Sequence, residues 1–231
     1  MPGRNHLFEE GGYYHIYNKT IDAKKPFVSS RNCQIFEHMI WFYRARKVEV
    51  KHSRFLSLPV TSQAALFSTI NSFDNRDIDI LAYCLMPNHY HFLIQEIRKG
   101  GISTFMSKIQ NSFTRYYNIK LQRKGQLFLS RFKSKPLESE ELLRHVARYI
   151  HLNPLSSNLV NSFAMLKDYP YSSLKEISAP IALRTALTTN VEKLLEFFEG
   201  EESRYLKFLG DNADYQRTLD QIKKIEKPPI R

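Results

Sequence analysis

The element order read from this sequence, β-α-β-β-α-β with one further helix, predicts an α+β fold. The pattern is that of the ferredoxin-like split β-α-β sandwich, an antiparallel sheet with helices on one face, here followed by a helical C-terminal extension. Three observations carry the prediction. Two runs rich in aromatic and β-branched residues, 78–86 and 89–97, are separated only by Pro87-Asn88, a link so short that it makes an antiparallel hairpin. A similar run at 11–19 precedes a helical stripe of Ile35, Phe36, Met39, Ile40 and Tyr43. A second stripe, Phe105, Met106, Ile109, Phe113, Tyr116 and Tyr117, follows the hairpin and leads into a basic, strand-like run.

Taken in order, Gly11-Gly12-Tyr13-Tyr14-His15-Ile16-Tyr17-Asn18-Lys19 reads as the first strand. Residues 31–47 read as an amphipathic helix, with Asn32 available as its N-cap. Residues 48–77 read as an insertion of mixed signal. Val48-Glu49-Val50-Lys51-His52 suits a short strand, Leu66, Phe67 and Ile70 suit a helical turn or two, and 71–77 suits a loop. After the hairpin and Gly100-Gly101, Ser103 offers an N-cap for a helix that runs to about Leu121. Lys124-Gly125 turns the chain into a fourth strand over 126–137. Glu138, Ser139, Glu140 and Glu141 then open another helix, with acids at the positive end of its dipole, and Pro154 ends it. Residues 1–175 thus form the core domain and 176–231 the extension. The extension carries one stripe of Val191, Leu194, Leu195 and Phe198, another of Tyr205, Leu206 and Leu209, and a basic, fraying end at 223–231.

A chain of 231 residues with 42% hydrophobic side chains can build one sizeable core. Its net charge of +11 and pI near 9.6 favour a polyanionic partner, nucleic acid before an anionic membrane. No stretch approaches the ~18 uninterrupted apolar residues that span a bilayer. The N-terminus does not read as a signal peptide. Cys33 and Cys84 lie far apart in apolar surroundings, which suits free thiols in a reducing cytosol and lacks the spacing of a zinc site.

The chemistry centres on His89-Tyr90-His91. On a strand the two histidines face one way and Tyr90 the other. Two adjacent imidazoles can hold a divalent cation; they can equally be two histidines on a half-exposed strand face. His145, Tyr149 and Asn153 lie at i, i+4 and i+8, on one face of the last core helix. Mg²⁺ or Mn²⁺ held by His89 and His91 would still need oxygen ligands, and an Asn carbonyl is suitable. A tyrosine one turn before that Asn would lie beside the metal, placed to attack a phosphodiester.

These residues resemble a family. Met86-Pro87-Asn88-His89-Tyr90-His91-Phe92-Leu93-Ile94 is similar to the signature of the HUH single-tyrosine transposases of small bacterial insertion sequences. Four further blocks fall in family order over about residues 8–175. They are 11–19, Gly125-Gln126-Leu127-Phe128 with Arg131-Phe132-Lys133-Ser134, Tyr149-Ile150-His151-Leu152-Asn153-Pro154-Leu155, and Tyr169-Pro170-Tyr171-Ser172-Ser173. Within the family the resemblance is greatest to the REP-associated tyrosine transposases. It implies a single-stranded DNA nickase and strand transferase that acts at DNA hairpins through a covalent 5′-phosphotyrosine and leaves a free 3′-hydroxyl. By position it makes Tyr149 the nucleophile, His89 and His91 metal ligands, and Asn153 a third ligand for Mg²⁺ or Mn²⁺. It also implies a bacterial cytoplasmic, nucleoid-associated protein, a monomer or a homodimer with the tyrosine serving its own or the partner's site.

Rival readings stand beside this one. Tyr116 and Tyr117 are alternative nucleophiles, although their stripe reads as core. His145 reads as a helix-surface histidine ahead of a fourth site residue, and His15 as a residue that flanks the site or makes a structural hydrogen bond. His151 faces elsewhere on its helix. Arg115, Lys120, Arg123, Lys124, Arg131, Lys133 and Lys135, with Phe128 and Phe132 interleaved, offer cations for phosphates and rings for unstacked bases of single-stranded or hairpin DNA. Arg4 and Lys19 add to this basic cluster. A non-catalytic DNA-hairpin-binding protein or repressor on the same fold is the functional alternative. An RNA-binding domain would need aromatics exposed on the sheet face.

Overall fold

The computed structural model describes residues 6–180 and 188–211; Arg4 and the basic end at 223–231 lie outside the described residues. Four strands, β1 (Tyr13–Lys19), β2 (Ile78–Met86), β3 (His89–Glu96) and β4 (Lys133–Pro136), form one sheet in the order β2-β3-β1-β4. Every pairing is antiparallel. This is the sheet that the split β-α-β order predicts. The crossover helices α1 (Ser30–Tyr43) and α4 (Gly101–Lys120) cover one face, as expected. Their stripes meet Tyr14, Ile16, Ile80, Tyr90, Phe92 and Ile94 in an apolar core.

The second face is covered as well, over β2 and β3. Helix α2 (His52–Phe55) and α3 (Val60–Asn71) belong to the insertion, whereas α5 (Glu140–Ser156) crosses the sheet opposite α1 and α4. Short helices α6 (Phe163–Lys167) and α7 (Leu174–Ile177) follow, then α8 (Val191–Glu196) and α9 (Glu202–Gly210). Leu81, Ala82, Cys84, Met86 and Leu93 face this layer, together with Leu143, Ala147 and Ile150 of α5, Leu194 of α8 and Tyr205 of α9. The helices expected on one face therefore form two layers, and the described part of the extension shares a core with α5. A register shift between Ile80 and Ala82 changes which parity of β2 faces which layer. With both faces covered, all nine residues of β2 are buried. Its outer edge is closed by 171–173, where Leu85 N–H donates to Tyr171 O and Ser173 N–H to Tyr83 O.

Several local expectations shift by identifiable physics. Ser29, not Asn32, caps α1; the Asn32 amide is taken by the Pro26 carbonyl at 2.8 Å. Ser103 does not cap α4. Gly100, at φ 86°, precedes the helix, and the buried Glu96 carboxylate accepts the N–H groups of Gly100 (2.6 Å) and Ile102 (2.8 Å). Gly101 is required because a Cβ there would come within 2.4 Å of the Asp77 carbonyl oxygen. No strand forms at 48–52, and α3 is a full twelve residues long. The fourth strand shrinks to Lys133–Pro136, while Phe128 makes only an isolated bridge to Thr20. Helix α5 runs through Pro154 to Ser156 instead of stopping at the proline.

Candidate active site

The rest of the second sheet face, along β1 and the start of β3, gathers the candidate site residues. Alternation along β1 places Tyr13, His15, Tyr17 and Lys19 on it, and β3 adds His89 and His91. Register sets Tyr17 opposite His91, and Lys19 opposite His89. Tyr90, between the histidines, is fully buried on the other face, where its hydroxyl accepts from Gln110 Nε2 at 2.6 Å.

Helix α5 completes the site. Ser139 caps it by accepting the Leu142 N–H, and Glu140 and Glu141 lie in its first turn. Leu143, Ala147 and Ile150 anchor it to the sheet. That leaves Tyr149, half-buried at the edge of the stripe, edge-on to His91 (5.4 Å between ring centroids) and to His15 (5.8 Å). One turn on, Asn153 is buried and its amide donates to the Tyr149 carbonyl at 3.0 Å.

The ring nitrogens are constrained. His89 Nδ1 lies 2.8 Å from Asn88 Oδ1, a carbonyl oxygen that can only accept, so the proton is on Nδ1 and the lone pair on Nε2. His91 Nδ1 lies 2.9 Å from His15 Nε2. The His89 and His91 rings are 5.1 Å apart, and His15 stacks on Tyr17 at 5.0 Å. Burial, with Lys135 nearby, pushes the His15 pKa down to about 4; burial, with Lys19 opposite, does the same to His89. Burial and the neighbouring imidazoles push His91 lower still. All three rings are therefore neutral at pH 7, the form in which imidazole binds a metal. Among the described residues no three His, Cys, Asp or Glu side chains form a cation cage. A metal here would rest on two imidazole nitrogens and neutral oxygens, a mixed donor set whose oxygens are the part that suits Mn²⁺ or Mg²⁺.

The rival residues separate cleanly. Tyr116 and Tyr117 pack on Phe113 in the opposite layer, and the Tyr116 hydroxyl donates to Asn32 Oδ1 at 3.2 Å. His145 is exposed on α5, against Glu141 and Arg148. His151 is fully buried; it bonds Ser173 Oγ at 2.8 Å through Nε2 and the Tyr205 hydroxyl through Nδ1. It ties the tyrosine helix to the β2 edge and to α9. Tyr17 also joins this face, and its two-residue spacing from His15 on β1 is the only sequence signal for it.

The seven basic residues do not share one face. Arg115, Lys120, Arg123 and Lys124 lie at the C-terminal end of α4 and just beyond it, in the layer opposite the histidines. Lys120 donates to Asn32 Oδ1, and Arg123 to Asn118 and to the Gln126 carbonyl. Lys133 and Lys135 are exposed on the β4 edge, and pairing opposite Tyr17 and His15 puts them on the histidine face. Arg131 is exposed just before them. Phe128 is buried against Tyr90, and Phe132 is half-buried against Phe8, so Phe128 is no platform for a base.

Residues 33–153 match the family model described as "Transposase IS200 like". No curated protein matches the sequence. Among solved structures, the chain is similar to one described as the "REP associates tyrosine transposase bound to a REP hairpin". That similarity has a TM-score of 0.55 and 16% identity, and covers 83% of this chain and 93% of the other.

Proposed function

Because the chain belongs to the IS200-like transposase family, we propose that it is a metal-dependent single-stranded DNA nickase and strand transferase with Tyr149 as nucleophile. The observation that carries this reading is the placement of Tyr149 edge-on to His91 and His15, beside a paired imidazole face. A DNA hairpin is the substrate this reading favours, in line with the hairpin named for the similar solved structure. His89 and His91 would hold a divalent cation through Nε2, and the Asn153 carboxamide is the candidate third ligand. When bound, the cation supplies Lewis-acid polarisation of the scissile phosphate.

The steps performed by the chain's own groups are few. The Tyr149 oxygen attacks phosphorus and its phenolic proton leaves to solvent. The P–O3′ bond breaks, the departing 3′ oxygen takes up a proton, and the 5′-phosphate remains on the tyrosine. Attack by a 3′-hydroxyl on the phosphotyrosine reverses the sequence, so no external energy is consumed. Lys133, Lys135 and Arg131 would hold the phosphates of the strand as it enters along β4. Arg115, Lys120, Arg123 and Lys124 would contact a more distant part of the DNA.

The test uses hairpin oligonucleotides from palindromes flanking the gene, with Mn²⁺, and denaturing electrophoresis. Wild type is expected to yield a covalent protein–DNA adduct and a free 3′-hydroxyl product. Tyr149→Phe is expected to yield neither while binding the hairpin normally. Hairpin binding by wild type without any adduct would support a hairpin-binding repressor on the same fold instead.

A further inference from the structure

Resting on the reading of His89 and His91 as metal ligands, we infer that His15 is a positioning residue that sets the tautomer of His91 by accepting its Nδ1 proton. The geometry is specific. His15 Nε2 and His91 Nδ1 are 2.9 Å apart, and both rings are buried, at 8% and 5% exposure. A bond between two neutral imidazoles has one proton, and its direction decides the chemistry of the far nitrogen. With the proton on His91 Nδ1, His91 Nε2 carries a lone pair and can bind a cation. With the proton on His15 Nε2 instead, His91 Nε2 carries a hydrogen and cannot. Asn88 Oδ1 enforces the productive tautomer on His89, and His15 stands in the same relation to His91.

Outer partners of this kind orient a ligand ring and raise its basicity. His15 has a second hold on the site, because its ring lies against both Tyr17 and Tyr149. It comes from β1, a strand outside the histidine motif. The same bond occupies the His15 nitrogen nearest His91, which makes His15 an outer partner and not a third ligand.

The experiment reads the tautomer first, without metal or DNA. Long-range ¹H–¹⁵N correlation spectra of the full chain at neutral pH are expected to show His91 protonated at Nδ1. In His15→Phe that signature should change to the Nε2-protonated form or a mixture. His15→Gln, whose amide oxygen can accept at the same place, should restore it. Mn²⁺ titration by calorimetry should then show His15→Phe weakened by about 10–100-fold and His15→Gln near wild type. Thermal melting and hairpin binding establish that each variant is folded. Finding Nε2-protonated His91 in wild type overturns the inference, as does unchanged Mn²⁺ affinity in folded His15→Phe. If wild type shows the expected tautomer but binds no Mn²⁺ and forms no adduct, the metal-dependent reading fails while the tautomer assignment stands.

Discussion

Tyr90 and Tyr149 lie on opposite sides of one strand's worth of backbone, and their surroundings could hardly differ more. Tyr90 projects from β3 into the layer of α1 and α4, among Phe36, Phe92 and Phe128, with its hydroxyl held by Gln110. Burial raises its pKa far above the ordinary phenol value. Tyr149 approaches the other face of the same strand from α5, half-buried, against two imidazoles. Helices pack on both faces of the sheet, and the face under α1 and α4 buries apolar side chains from β1, β2 and β3 alike. The other is apolar over β2 and at Leu93 of β3, and polar along β1 and the start of β3, where His15, Tyr17, Lys19, His89 and His91 stand. The difference shows how a fold with two layers keeps one for stability and opens half of the other to chemistry.

The same substitution on the two faces should separate these roles most sharply. Tyr149→Phe is expected to lower adduct formation by about 10⁴-fold or more, with stability in urea unfolding lowered by no more than about 1 kcal/mol. Phe113→Ala, in the layer of α1 and α4, should cost about 3–5 kcal/mol in the same unfolding assay while leaving the residual folded protein able to cleave. His151, fully buried in the mixed layer, has its pKa pushed down by burial to about 3 from 6.5. The unfolded chain binds that proton first, so the stabilisation is fully present above pH 6.5 and is lost as pH falls from there toward 3. Its share is about 1.4 kcal/mol per pH unit, and a His151→Gln variant should show a correspondingly flatter loss between pH 6.5 and 5. Tyr90→Phe should cost only about 1 kcal/mol, the net worth of its hydrogen bond, and leave cleavage intact. Loss of cleavage in Tyr90→Phe would break the comparison.

The basic residues allow a finer test across the two faces. Lys133→Ala and Lys135→Ala should each lower hairpin affinity and reduce its salt slope by about 1, measured by titration over a range of salt. On the histidine face they should also slow cleavage. Arg115→Ala and Lys124→Ala, in the opposite layer, should change binding without slowing cleavage of bound DNA.

Much of this was legible in the chain. Pro87-Asn88 between two apolar runs predicts the hairpin, and β2 has the expected bounds, Ile78–Met86. The family blocks single out His89, His91, Tyr149 and Asn153 from local pattern, and the fold brings Tyr149 onto His91. Other features needed long-range information. Asn32 and Ser29 are both competent caps, and only the Pro26 carbonyl decides between them. Glu96 caps a helix from the end of the preceding strand, a role invisible to local spacing. Phe128 alternates with cations like a base-stacking ring, yet the neighbouring layer buries it.

The sequence by itself determined the period of each element, the hairpin, the alternation that sends Tyr90 one way and the histidines the other, and the family. Local covalent geometry is enough for these, since a residue's direction on a strand follows from its position alone. What covers each face was decided only by the tertiary structure: two helical layers instead of one, cations divided between them, and His15 brought from β1 to His91. Those outcomes depend on contacts between residues far apart in the chain, where packing and hydrogen-bond satisfaction choose among partners that local pattern leaves equivalent.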